Sequence, residues 1–339
     1  MTLKVAMAGT GNIAKVHARA LQSVPDADLV ALVNHRPESM AALAATFGIT
    51  RQYAQVSDLL EEGRVDALII CTPNYLHAGQ AMEALSAGVH VMVEKPMAMN
   101  AEEAEAMLAA SQQFDALLMV AHCWRFEPEI VWLRAQVAAG RLGKIIRTKG
   151  YGVHANWGPG GWFAQKPYAG GGAMADMGIH ALDTARFLLG DPQPVSVYAR
   201  IGTYYKDLDV DDTGIILVNW DNGATSVIES GWWQPHADGL EATTQLYGTA
   251  GFGQIFPTGL EIPKADGSGI ERIDPGFPPV RDPHCPQSMY DDQMACFVAS
   301  IRDGKTPKPG GLEGLFNMKV VDAAYASARA GKVIELIDQ

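Results

Sequence analysis

Cysteine is scarce and scattered. The four residues Cys71, Cys123, Cys285 and Cys296 form no CxxC pair and no histidine-supported cluster, which argues against a structural metal. They read as reduced, mostly buried thiols of a cytoplasmic protein. Basic residues are also in deficit. Lys and Arg total 26 against 38 Asp and Glu, the formal net charge is −12, and no basic cluster offsets it. That argues against a nucleic-acid groove, and any anion the chain binds is held by local geometry against the global field. No apolar run approaches the roughly 20 residues needed to cross a bilayer, so no membrane partner is expected. The opening MTLKVAMAGTGNIAK has no signal-peptide shape, because its apolar stretch is short and glycines follow it. Internal repeats and low-complexity segments are missing too.

What is present is an ordinary globular composition, with 48% hydrophobic and 19% charged residues over 339 positions, enough for two domains. Strand-like apolar runs at 3–8, 28–33, 67–71, 90–93 and 117–121 alternate with helical patterns at 12–23, 37–47, 57–62, 75–86 and 101–113. Such alternation implies crossover units and a parallel sheet buried on both faces. After residue 124 the rhythm changes. Helices are expected at 129–139 and 172–189. Strands are expected at 145–153, 195–205, 214–220, 224–233 and 243–247, with Asp221-Asn222-Gly223 as a hairpin signal. This half reads as an antiparallel sheet with helices on one face. Residues 267–286, rich in Gly and Pro, read as loop, and 288–302 and 313–330 as closing helices. His236 and His284 show no identifiable partner and read as loop residues.

Gly9-Thr10-Gly11-Asn12-Ile13-Ala14 matches G-x-G-x-x-A between the first strand and the first helix. The first glycine permits the tight turn, the second lets the backbone approach a pyrophosphate, and the small third residue lets helix pack on strand. The helix N-terminus supplies unpaired N–H groups and partial positive charge. The second strand ends in Asn34-His35-Arg36, where NAD-preferring proteins usually carry an acid for the ribose 2′-hydroxyl. That acid is absent. Arg36 is suited to pair with a 2′-phosphate or to stack on adenine; the alternative is a solvated side chain at a helix start. The balance favours NADP over NAD. Val93-Glu94-Lys95-Pro96 closes another strand, at the end that faces the ligand crevice in such sheets. Asp176 and His180 in GGGAMADMGIH are four apart, so on an α-helix they share a face, where a carboxylate can orient an imidazole; a surface pair or a core histidine is the competing reading.

Together these segments resemble the Gfo/Idh/MocA oxidoreductase family across nearly the whole chain. The resemblance rests on GTGNIA (9–14), CTPNYLH (71–77), EKP (94–96), GGGAMADMGIH (170–180) and the stretch from FVASIRDGKTPKPGG onward. It implies an α/β fold with an N-terminal Rossmann dinucleotide-binding domain (1–123) and a C-terminal α/β domain (124–339) built on a large open, mostly antiparallel sheet, with the last helices packing back on the first domain. It implies NAD(P) as cofactor, a sugar, cyclitol or related polyol as substrate, and a homodimer or homotetramer. Lys95, Asp176 and His180 fall on the family's catalytic positions, and Pro96 where a cis peptide is frequent. Gly9, Gly11, Asn12, Ile13, Ala14, Asn34, His35, Arg36, Thr72, Pro73, Asn74, His77, Glu94, Lys95 and Pro96 fall on cofactor-lining segments. Arg125, His154 and Trp162 join Lys95, Asp176 and His180 as candidates for binding substrate, Arg125 with a salt bridge as its alternative. Trp232 and Trp233 read as core or interface. The expected chemistry moves hydride between a hydroxyl-bearing carbon and nicotinamide, with His180 as general base or acid, Lys95 stabilising the oxygen and Asp176 orienting His180. Two rivals keep the fold: an NAD-dependent glycosidase that oxidises its sugar transiently, and a non-enzymatic dinucleotide sensor. No metal site is expected.

Overall fold

Short apolar strands between amphipathic helices need a sheet covered on both sides, and residues 3–121 supply one. The computed structural model describes residues 2–235, 241–277 and 285–336. It contains two compact units, residues 1–123 with 285–318 and residues 124–284 with 319–339. In the first unit β1 (Leu3–Ala8), α1 (Asn12–Gln22), β2 (Ala27–Val33), α2 (Pro37–Phe47), β3 (Arg51–Tyr53), α3 (Val56–Glu61), β4 (Ala67–Ile70), α4 (His77–Ser86), β5 (His90–Glu94), α5 (Ala101–Gln113) and β6 (Leu118–Ala121) follow one another. The strands pair in parallel in the order β3-β2-β1-β4-β5-β6. Strand order reverses between β1 and β4, so the loops leaving β1 and β4 flank the point where such sheets bind ligands. Val5–Ala8, Leu68–Ile70 and Val91–Val93 are essentially solvent-free, as two-sided cover requires.

The second unit begins with α6 (Pro128–Ala138), β7 (Ile145–Ala155) and a short α7 (Lys166–Ala169). A single π-helical turn, Met174–Gly178, then leads into α8 (Ile179–Leu188). Strands β8 (Pro194–Gly202), β9 (Thr213–Trp220), β10 (Thr225–Gln234), β11 (Ala242–Gly248), β12 (Phe252–Ile255), β13 (Gly259–Pro263) and β14 (Ile270–Ile273) complete most of the sheet. The chain returns to the first unit with α9 (Gln287–Asp303), which packs on α1, and enters α10 (Gly311–Ala330), within which the division between units falls. It ends in the second unit with β15 (Ile334–Glu335) on the edge beside β8. The nine-stranded order is β14-β13-β12-β11-β7-β10-β9-β8-β15, antiparallel except for β7 and β10.

One face of this sheet is buried through Gly214, Ile216, Val218 and Trp220 of β9 and Ser226, Ile228 and Ser230 of β10, while Ile215 and Leu217 alternate outward. Tyr198, Leu217 and Val227 form one cross-strand row on the outward face.

Several expectations change. Segment 267–286 is not all loop: Ile270–Ile273 pairs with β13, and residues 278–284 lie outside the described residues. His236 and His284 also lie outside them. The helix expected at 172–189 is π-helical in its first turn. The first unit takes in residues 285–318 as well as 1–123. Among the described residues no helix is long and apolar enough to cross a membrane, and no group of His, Cys, Asp or Glu has a metal-binding arrangement.

Candidate active site

The turn between β1 and α1 is built for close approach of a phosphate. Gly9 has φ 89°, in the left-handed region, and a Cβ there would strike the carbonyl oxygen of Cys71. A Cβ on Gly11 would meet nothing within 4 Å, so the backbone at the helix mouth opens onto space. Gly11 caps α1 without a side chain, leaving the first-turn N–H groups of Asn12 and Ile13 to whatever occupies that space. Ala14 is fully buried, as helix-to-strand packing demands.

Asn34 braces this turn. Its Nδ2 donates to Thr10 Oγ1 at 2.6 Å, and its Oδ1 accepts from Arg36 N at 2.9 Å. His35 and the Arg36 side chain are exposed beyond β2. The loop after β4 is tied to the loop after β5 by His77, whose Nδ1 lies 2.8 Å from Pro96 O and whose Nε2 lies 2.8 Å from Thr72 O. Burial lowers its pKa against the pull of those two carbonyls, so a neutral ring donates to one of them at neutral pH. The Thr72 hydroxyl donates to Gln80. His77, expected to line the cofactor, is therefore a buried clamp between two loops. Asn74 is buried beside it, and Pro73 is half-buried.

Glu94 is likewise under the loop rather than on it. One carboxylate oxygen lies 2.7 Å from His17 Nε2 and the other accepts from Lys95 N at 3.1 Å. Burial raises its pKa, and His17 together with the charge and backbone N–H of Lys95 outweighs burial and holds it below the ordinary range. The Lys95–Pro96 peptide is cis. His17 stands edge-on to Tyr290 of α9, with ring centroids 5.7 Å apart. Sequence reasoning missed His17. Its signal was a histidine in register with Ala14, Ala18 and Leu21 on the buried face of α1.

In the second unit His180 begins α8 almost buried, its ring stacked on Trp124 with centroids 4.7 Å apart. Asp176 sits in the π turn, so the α-helical spacing assumed for the pair does not hold. Its Oδ2 accepts from Trp232 Nε1 at 3.0 Å and lies 3.8 Å from His154 Nε2. Tight backbone packing sets the turn. A Cβ on Gly152 would strike the Met177 carbonyl, and one on Gly172 the Asp211 carbonyl. Asp211 receives Gly172 N and Met174 N at 2.8 Å and the Tyr325 hydroxyl at 2.7 Å. Burial still pushes its carboxyl up against those donors.

Trp232, fully buried, is thus a hydrogen-bonding support for Asp176 as well as core. His154 stacks on Trp157 at 3.6 Å, and Trp162 stacks on Phe163 at 3.8 Å in a short 3₁₀ turn, Gly161–Ala164. Arg125 leaves the list of substrate contacts. It is 5% exposed, grips Asp183 through Nε and Nη2 at 2.7 and 2.8 Å, and reaches Asp191 at 2.8 Å. Burial opposes its charge, but the two aspartates outweigh burial and raise its pKa.

Comparison with known proteins adds to this geometry. A family model described as "Oxidoreductase family, NAD-binding Rossmann fold" matches residues 3–122, and one described as "GFO/IDH/MocA C-terminal domain" matches residues 130–252. The chain is 29% identical to inositol 2-dehydrogenase of Rhizobium meliloti (strain 1021), over 99% of this chain and 100% of that protein. It is 37% identical to D-glucoside 3-dehydrogenase of Escherichia coli (strain K12), over 59% of each. Levoglucosan dehydrogenase in complex with NADH has the same fold, with a TM-score of 0.88 over 100% of both chains at 24% identity.

Proposed function

The chain belongs to the GFO/IDH/MocA family of oxidoreductases, and from that premise we propose that it is an NAD(P)-dependent dehydrogenase acting on a secondary hydroxyl of a cyclitol, sugar or related polyol. The observation that carries the reading is the cradle at the mouth of α1, where Gly9 admits no side chain and Gly11 opens onto empty space. That cradle fits a dinucleotide pyrophosphate. The names of the relatives, an inositol and a glucoside dehydrogenase among them, support the substrate class.

Gly9, Gly11, Asn12 and Ile13 would hold the pyrophosphate, with Ala14 packing the helix on the strand beneath it, Thr72, Pro73 and Asn74 on the neighbouring loop and Pro96 closing it. A bound nicotinamide would supply the hydride acceptor in oxidation and the donor in reduction. His180 takes the hydroxyl proton in oxidation and returns it in reduction. Lys95 donates to the reacting oxygen and stabilises negative charge there. Asp176 orients His180 and accepts from a neighbouring hydroxyl, with His154 and Trp162 bordering the substrate. The proposal includes a homodimer or homotetramer formed through the outward sheet face around Tyr198 and Leu217, and a cytoplasmic location. The test is direct: with NAD⁺ or NADP⁺ and a panel of inositols, aldoses and glycosides, absorbance at the reduced-nicotinamide band should rise with at least one of them. A protein that binds dinucleotide yet reduces none of it with any of these substrates would overturn the reading.

The cofactor preference we propose is NADP, because β2 is followed by exposed Arg36 with no acid beside it. Losing one charge-assisted contact to the 2′-phosphate is worth about tenfold or more. In Arg36→Ala the dissociation constant of NADPH, followed by tryptophan fluorescence, should rise by about that factor while that of NADH stays within roughly twofold. Tighter NADH binding in the wild type, little changed in the variant, would reverse the preference.

A further inference from the structure

Glu241 belongs to no recognisable motif, yet its carboxylate organises one side of the second unit. It leads directly into β11, and its carbonyl accepts from Val153 N at 2.8 Å, so the pairing of β11 with β7 fixes its place. Its Oε1 accepts from Trp157 Nε1 at 2.6 Å and from Ala155 N at 3.0 Å. Its Oε2 lies 3.3 Å from His154 Nδ1. The opposite nitrogen of the same ring, Nε2, lies 3.8 Å from Asp176 Oδ2, and Trp157 covers the ring face at 3.6 Å. The His154 and Asp176 side chains are 14% and 12% exposed, so water screens little of the attraction between them.

We propose that Glu241 is a positioning residue, which acts through His154 to hold Asp176 as an ionised acceptor for a substrate hydroxyl. An ionised carboxylate only accepts, so the nitrogen facing Glu241 carries its proton. The other nitrogen faces a second carboxylate, and an imidazole between two anions takes up a proton on each side. The charged groups facing His154 include Glu241, ahead of β11, and Asp176, in the π turn. Trp232, from β10, donates to the same Asp176 oxygen. His154 and Trp232 therefore pin Asp176 from two directions, and Glu241 keeps the His154 ring in the plane and charge state that does so. Fixing a histidine through its remote nitrogen is how outer carboxylates commonly orient functional groups.

The inference rests on the dehydrogenase reading only for its kinetic arm. The first measurement is spectroscopic: ¹⁵N-histidine NMR at neutral pH, with His154 assigned by its loss in His154→Gln. The wild type should show both His154 nitrogens protonated, and Glu241→Gln should show one. If that variant does not fold, Asp176→Asn reads the same arrangement from the other nitrogen and should also leave one proton. The second measurement is steady-state kinetics on the most active polyol. In Glu241→Gln, KM should rise about tenfold with a smaller fall in kcat, while NAD(P)H affinity stays within about twofold. Identical His154 spectra in wild type and variant, or an unchanged KM, would overturn the assignment. A wild type that oxidises no polyol would instead sink the dehydrogenase reading, while the spectra would still decide what Glu241 does to His154.

Discussion

Replacing His180 with alanine should lower kcat by about 10²–10⁴-fold, the usual worth of general acid–base assistance. The reduced-cofactor dissociation constant should stay within about twofold. The groups assigned to the dinucleotide lie on the loops after β1, β2, β4 and β5, and His180 lies at the start of α8. His180 is 7% exposed and stacked on Trp124, so its removal also leaves a small void. Added imidazole separates the two effects. If His180 moves the proton, free imidazole should restore part of the lost turnover in a concentration-dependent way, whereas a packing defect would not respond. Turnover within about threefold of wild type would end the assignment.

The second large effect concerns stability. Arg125→Ala should lower the unfolding free energy by about 3–5 kcal/mol, because removing one partner of a buried pair leaves uncompensated charge behind. Here the groups that lose this guanidinium are Asp183, 2% exposed at its side chain, and Asp191, which Arg186 also contacts at 3.4 Å. Calorimetry should show a thermal midpoint lower by roughly 10 °C. Well below that midpoint, the KM for polyol should stay within about twofold. A raised KM with unchanged stability would return Arg125 to the substrate pocket.

The correction of Arg125 shows what the chain reveals of itself and what it withholds. The first unit is legible because β1, β4, β5 and β6 are continuous apolar runs, and because the residues that make the phosphate turn are neighbours from Gly9 to Ala14. The outer strands of the second sheet are not. β13 and β14 read GLEIP and IERI, short and half-solvated, and it is pairing, of β13 with β12 and β14, that makes them strands. The parallel contact of β7 with β10 carries no local signal at all.

The site shows the same split. Lys95, Asp176 and His180 stand in recognisable motifs. The groups that hold them come from far along the chain: His17 meets Glu94 across 77 residues, and Glu241 meets His154 across 87. Arg125 looked available because Asp183, its partner, is 58 residues away. The motif's spacing also gave no sign of the wider turn at Asp176, where glycines make close contacts with β7 and with Asp211.

That wider turn also governs how the segment tolerates insertion and deletion. A π turn is an α-helix carrying one surplus residue, and each residue advances a helix by about 100°. Deleting Met177 or Gly178 would let the turn relax to α geometry, and would leave Asp176 three residues ahead of His180 in place of four. Composition would hardly change, and helicity would improve. The spacing between the two side chains would nevertheless change, so in this stretch chain length, as well as residue identity, is what variation has to preserve.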